Sequence, residues 1–319
     1  MNNNHFMPEG GLIYTQENHA YISSLSGLER AMRENKTLEG RVIMCDNDLN
    51  LHVDLYGIEG IIPRSECLLT HSNEEIKDIA IITRVGKPVC FKVIGIEAKN
   101  DSFVAILSRK AAQIECENYY LSSLLAGDII DATVTHLDTF GAFVDIGCGS
   151  ISLLSIDCIS VSRISHPSDR LFVGQKLKVA IKSNDIENGR IYVTLKELLG
   201  TWQENADLFS VGQTVSGIVR SIESYGVFVE LSPNLAGLAE LREDKRAFFN
   251  LKAGDSVSVY IKSIIPEKMK IKLVLIDFAA ELPKPTPIQY FIDTNNIDHI
   301  DVWKYSPENC IKTVETVFD

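Results

Sequence analysis

Two stretches of this chain can be laid over one another residue by residue. Gly127–Ile146 and Gly212–Leu231 share Gly, Val, an aromatic, Gly, Phe and Val at matched offsets. These are Gly127, Val134, Phe140, Gly141, Phe143 and Val144 in one, and Gly212, Val219, Tyr225, Gly226, Phe228 and Val229 in the other. A weaker copy opens near Leu38, with Glu39-Gly40-Arg41-Val42 and then His52-Val53-Asp54-Leu55. The second halves recur as well: Val173–Ser183 matches Ala253–Ser263, and Val85–Ile94 matches both. Three copies with a period of about 80–90 residues imply three units of one fold.

Each copy reads as strands. Ile130–Val134, Ala142–Ile146, Lys178–Ile181 and Arg190–Leu195 alternate with period two and are rich in β-branched residues. Asn188-Gly189 between two of them reads as a hairpin turn. About five short strands in roughly 70 residues suit a small closed barrel of the oligonucleotide-binding (OB) type. Ser108–Leu125 and Lys196–Phe209 carry spaced apolar residues instead and read as helices between the units, ordered spacers rather than Gly- and Ser-rich flexible linkers. A further short helix is predicted over Leu25–Glu34.

The expected fold is therefore all-β dominated: three tandem five-stranded OB-fold barrels joined by short α-helices. The expected layout is an extension with a short helix (1–37), a degenerate barrel (38–106), a helical linker (107–126), a barrel (127–199), a helical linker (200–211), a barrel (212–276) and an acidic C-terminal tail (277–319). In the tail, Pro283–Pro287 favours extended chain. Beyond it Tyr290, Phe291, Trp303 and Tyr305 carry too much aromatic surface for disorder, and are expected to pack on the third barrel or on a partner.

Composition sets aside several function classes. No run of about 18 apolar residues occurs, so no membrane span is expected, and no signal peptide is visible; a cytoplasmic location follows as the expectation. The seven cysteines lack any C-x-x-C pair, which argues for reduced thiols and against a zinc ribbon. No H-E-x-x-H or phosphate-cradling Gly-rich motif is present. No metal, cofactor or small-molecule substrate is expected, and no enzymatic activity.

The net charge of −12 is awkward for a nucleic-acid binder, but it is unevenly spread. Residues 38–106 hold seven basic against eleven acidic residues, 127–199 seven against nine, and 277–319 three against eight. Residues 212–276 hold nine against seven and form the one positive unit. Phosphate attraction is local, so this gradient favours nucleic acid on the later units.

Thr139–Gly147, with the Gly174–Lys182 stretch and Gly189–Lys196, resembles the S-one RNA-binding domain, named after the first protein of the bacterial small ribosomal subunit. The resemblance covers about residues 38–276. Ser160–Arg170 and Lys196–Trp202 look like the short ribosomal S-one proteins of anaerobic Gram-positive bacteria. In that family, surface aromatics, a histidine and basic residues hold single-stranded RNA. The physics is general: rings stack on unpaired bases while Lys and Arg follow the phosphates.

Carried over by position, the resemblance implies that Phe140 and Phe143 fill the aromatic positions of the second barrel, and Tyr225 and Phe228 those of the third. Phe143 and Phe228 are the stronger candidates for exposed stacking, with Gly141 and Gly226 leaving room for a base. The family's histidine is Ser155 in the second copy and Glu240 in the third; a glutamate there would repel phosphate. In the first copy the aromatic positions become Leu49 and His52, and the histidine position Pro63. That barrel lacks the platform and resembles family members whose first barrel docks protein. Asp185 and Arg190 match the family's late Asp and Arg. Lys268, Lys270 and Lys272 are expected on one strand face, against the reading of an ordinary solvated edge. Lys182 and Lys262 occupy equivalent places and are further phosphate candidates. Arg163, His166 and Arg170 form a basic loop that contacts RNA or a partner, or is held by internal hydrogen bonds.

The expected function is that of an RNA-binding protein of the ribosomal S-one type, holding single-stranded mRNA near the small subunit in translation. The small subunit would be met through the first barrel. The same barrels would also serve a ribosome-independent regulator of gene expression, or a protein-docking scaffold that has lost RNA binding.

Overall fold

The computed structural model describes residues 6–70, 76–99, 102–185, 190–240, 251–278 and 288–318. The expected Asn188-Gly189 turn and the extended Pro283–Pro287 segment lie outside the described residues.

Two short helices precede the first barrel, α1 (Gln16–Ile22) and α2 (Leu25–Arg33), where the sequence predicts one. Each has a hydroxyl N-cap: Thr15 accepts from Asn18 N and Ser24 from Gly27 N. The first barrel follows: β1 (Leu38–Cys45), β2 (Leu51–Leu55), β3 (Ile58–Ile62), β4 (Pro88–Lys99) and β5 (Ser102–Ser108), with the one-turn α3 (Asp78–Ile82) before β4. The linker helix α4 (Arg109–Ser123) starts at the Ser108 N-cap. The second barrel comprises β6 (Ile129–Asp138), β7 (Gly141–Gly147), β8 (Ser150–Ser155), β9 (Lys176–Asp185) and β10 (Arg190–Thr194). After α5 (Trp202–Ala206) the third comprises β11 (Thr214–Glu223), β12 (Gly226–Ser232), β13 (Leu235–Glu240), β14 (Ser256–Ile265) and β15 (Lys270–Phe278). All three sheets close in the same order, first–second–third–fifth–fourth, with the third and fifth strands parallel. The fold class thus matches the reading of the sequence.

The copies share a finer feature. In each, the pairing of first and second strands skips one residue: Ile43 in β1, Thr135 in β6 and Arg220 in β11. A bulge bends its strand and re-aims the side chain it carries. Thr135 turns its hydroxyl to Phe143 O (3.0 Å), and Arg220 turns to Glu230 of its own barrel (2.6 Å) and to Asp169 of the second (3.3 Å).

The expected helix over Lys196–Phe209 is broken. Lys196–Leu199 forms one 3-10 turn, Gly200 takes φ +83°, and α5 then starts at a Thr201–Glu204 capping box. A Cβ on Gly200 would also lie 2.6 Å from the Phe291 ring, so the break makes room for a distant part of the chain.

The barrels are docked rather than strung. Between the first and second, Glu9 binds the buried Arg109 through two oxygens (2.6 and 3.0 Å) and donates its own N–H to Asp145 (2.8 Å). Burial, with the charge of Glu9, pushes the Asp145 carboxyl up. Phe6, Cys90, Cys116, Tyr120 and Cys148 fill this junction, and all seven cysteines are free thiols.

Between the second and third barrels lies an ionic cluster. Arg170, from the β8–β9 connection, is bidentate to Glu230 of β12 (2.7 and 2.5 Å). Arg220 meets the same carboxylate (2.6 Å) and also Asp169 (3.3 Å). Val161 N and Ser162 N donate to Asn234 Oδ1 and Pro233 O, both at 3.0 Å.

The C-terminal segment packs on both later barrels. Tyr290, Ile292 and Ile300 pack on the second core, Trp303 and Tyr305 join the third, and Phe318 touches both. Its two short strands, β16 (Val302–Lys304) and β17 (Glu315–Val317), pair with each other. Tyr305 OH donates to Asn234 O (2.7 Å), and His299 lies 2.7 Å from Asp128. The choice the sequence left open resolves inward: this segment is a strap across two barrels.

Candidate nucleic-acid interface

The two aromatic pairs have the same geometry. Phe140 and Phe143 meet edge to face at 5.8 Å, Tyr225 and Phe228 at 6.3 Å. The outer ring of each pair sits in the β-turn before the second strand and is the more exposed, 49% for Phe140 and 60% for Tyr225. Phe143 and Phe228 are half-buried, so the order of exposure expected from the sequence is reversed. The inner ring braces the outer one, and neither belongs to the buried core.

Gly141 and Gly226 have a different reason from the one expected. A Cβ on Gly141 would fall 2.6 Å from Leu154 O, and one on Gly226 2.7 Å from Ala239 O. Both are buried against the neighbouring strand. They let the second and third strands close beneath the rings, and do not open space for a base.

Cross-strand register shows what flanks each inner ring. On the second barrel His136, Phe143, Leu153 and Tyr192 lie side by side across β6, β7, β8 and β10, none of them buried. The His136 imidazole stacks on Phe143 at 6.1 Å and 27°. On the third barrel the same places are Ser221, Phe228, Leu238 and Lys272. On the first they are Met44, His52, Ile61 and Ile106. There His52 is clamped between Asp46 (3.2 Å) and Glu59 (3.1 Å). His136 and Tyr192 were missed in the sequence because the bulge at Thr135 shifts His136 to the outer face and the pairing of Tyr192 is long-range.

The basic candidates divide. Lys262, Lys270 and Lys272 are exposed on the third barrel, the latter two on one face of β15. Lys268 is off that face: it ends the 3-10 turn Pro266–Lys268, and Met269 follows in the left-handed region at φ +47°. Lys182 is exposed, with Nζ 3.3 Å from the Cys158 thiol. Asp185 and Arg190 face each other at the open end of β9 and β10. Ser155 closes β8 beside Gly141, and Glu240 closes β13 beside Gly226.

In the basic loop, Arg170 is drawn into Glu230 and is an inter-barrel contact, not a surface cation. His166 caps the turn Pro167–Asp169, accepting at Nδ1 from Ser168 N (3.1 Å). Arg163 alone of the three is exposed. Among the described residues no cluster of His, Cys, Asp and Glu fit for a metal ion occurs, and no helix is long and apolar enough to cross a membrane.

Tandem OB barrels bearing paired rings on the same strands define a class: multi-barrel proteins of the oligonucleotide-binding fold. A profile of the S1 RNA binding domain matches residues 124–196, the second barrel and the end of its linker. The chain is 32% identical over 250 residues to small ribosomal subunit protein bS1 of Leuconostoc lactis, covering 75% of this chain and 56% of that protein. It is 30% identical over 274 residues to bS1 of Staphylococcus aureus strain COL, covering 83% of this chain and 67% of that protein. A multidomain Streptococcus pneumoniae protein with nucleic acid binding domains aligns over 78% of this chain and 76% of its own, at 16% identity and a TM-score of 0.25. The chain belongs to the family of small ribosomal subunit protein bS1, and spans between about half and two thirds of the length of these curated relatives.

Proposed function

We propose that this chain holds single-stranded RNA, mRNA in particular, on its second and third barrels, and acts at the small ribosomal subunit in the cytoplasm as a non-enzymatic translation protein. One observation carries the reading: two barrels present an exposed ring in the turn before the second strand, each braced by a ring on that strand. Phe140, Phe143, Tyr225 and Phe228 stack on bases. Lys262, Lys268, Lys270 and Lys272 follow the phosphates, with Lys182 and Arg190 on the second barrel. Ser155 and Asp185 supply hydrogen-bonding groups, and Arg163 meets RNA or a partner. The first barrel, whose His52 is held by two carboxylates, takes the small subunit instead.

Titration with a labelled single-stranded oligonucleotide at low and high salt tests RNA binding, and absence of binding at micromolar protein in low salt would favour the docking scaffold. Co-sedimentation with ribosomes tests the site of action. RNA binding without co-sedimentation would favour a ribosome-independent regulator.

A further inference from the structure

The outward rows of the second and third barrels occupy the same strands in the same register but differ in chemistry. On the second the row is His136, Phe143, Leu153 and Tyr192: three rings and a leucine, with the imidazole already stacked on the phenyl. On the third, Ser221 replaces the imidazole and Lys272 replaces the tyrosine, with Lys270 exposed two residues away on the same face of β15. One row offers π-faces from three of its four strands. The other offers one ring between Ser221 and Leu238, with two ammonium groups at the β15 end of the row.

Resting on the reading of this surface as an RNA site, we propose that His136 and Tyr192 are base-stacking residues that extend the Phe143 platform, so that the second barrel stacks on more bases than the third, while the third adds the phosphate contacts of Lys270 and Lys272 to its own ring pair. The family's histidine position holds Ser155 here, and His136 brings an imidazole to the platform from a different strand. The two contributions scale differently with salt. Stacking releases no counterions, whereas each lysine–phosphate contact to a single strand adds about 0.7 to the slope of log affinity against log salt.

The test uses the full chain and a labelled single-stranded oligouridine, titrated over a range of KCl concentrations, with thermal melts of every variant. His136→Ala with Tyr192→Ala should weaken binding about ten-fold or more at every salt concentration and leave the slope unchanged. His136→Phe with Tyr192→Phe should keep wild-type affinity, because the rings remain. Lys270→Ala with Lys272→Ala should lower the slope by about 1.4. The proposal is overturned if the ring-free variant melts like the wild type and binds like it, or if its loss appears as a changed slope. Photocrosslinking the wild-type chain to 5-iodouridine strands reads the same surface without substitution. Adducts at Phe143 or Tyr192 support the strip, and adducts confined to the third barrel overturn it. Wild-type protein that binds no strand would instead count against RNA binding itself.

Discussion

Arg170 of the second barrel and Glu230 of the third form a two-pronged ion pair, 2.7 and 2.5 Å, at the contact between the two barrels. The carboxylate is 4% exposed and takes a second guanidinium, Arg220, on the same two oxygens. Such a pair is weak evidence of net stabilisation, since both charges lose their water. Losing one partner is different, because it strands the others. Glu230→Ala, which leaves Arg170 and Arg220 facing each other, should cost roughly 3–5 kcal/mol in chemical denaturation. A double change of Arg170 and Glu230 to methionine should cost less than the single one. A single-variant loss below about 1 kcal/mol would mean the cluster contributes nothing to docking.

Half-exposed rings contribute to binding more than to folding. Phe143→Ala and Phe228→Ala should each weaken single-strand binding by about 1–3 kcal/mol per base no longer stacked. Fluorescence anisotropy would measure this, with thermal melts as the control. Unchanged affinity would return both rings to a purely structural role.

His299 should make the strap pH-sensitive. Partial burial pushes its imidazole down, but the hydrogen bond and charge of Asp128, joined by Asp301, outweigh this, and the net shift is up from the ordinary 6.5. A raised value in the folded state means the charged pair stabilises fully below 6.5 and its contribution fades as pH rises through the folded value. The melting temperature should therefore fall across that window, and His299→Gln should flatten the fall. A profile that His299→Gln leaves unaltered would show that the pair is not coupled to folding.

Trp303 is buried in the third core, beside Tyr305 at 5.4 Å between ring centroids. Trp303→Ala should cost about 3–5 kcal/mol. Tyr305→Phe, which deletes only the hydrogen bond to Asn234 O, should cost about 0.5–1.5 kcal/mol. Denaturant unfolding of each variant measures both. Equal small losses would show the strap to be loosely held.

How much of this was legible in the sequence followed the range of the interaction responsible. Strand periodicity and the repeats are local, and they marked out three barrels, while the role of the four rings came from the resemblance to the S-one domain. Helix breaking at Gly200 was illegible, because the reason is Phe291, more than 90 residues away. Whether Arg170 met a ligand or was held internally stayed open in the sequence, because Glu230 lies 60 positions further on. His136 was invisible as a ring of the platform because a one-residue bulge decides which face it takes. Gly141 was assigned to ligand access, though the backbone of β8 alone requires it.

The strap also sets an order of events during synthesis. Trp202 N donates to Tyr305 O, and Trp202 shares the third core with Trp303 and Tyr305, the latter two lying beyond the last strand of that barrel. At translation rates of about 5–20 residues per second, the chain between Phe278 and Phe318 takes roughly 2–8 s to make. For those seconds the third barrel has all five strands but an unfinished core, with Trp202 and the face that will receive the strap open to water. The first barrel has no such wait, since α1, α2 and Glu39's three backbone partners near Gly10 precede it in the chain. Of these three barrels, the most basic should therefore be the last to close.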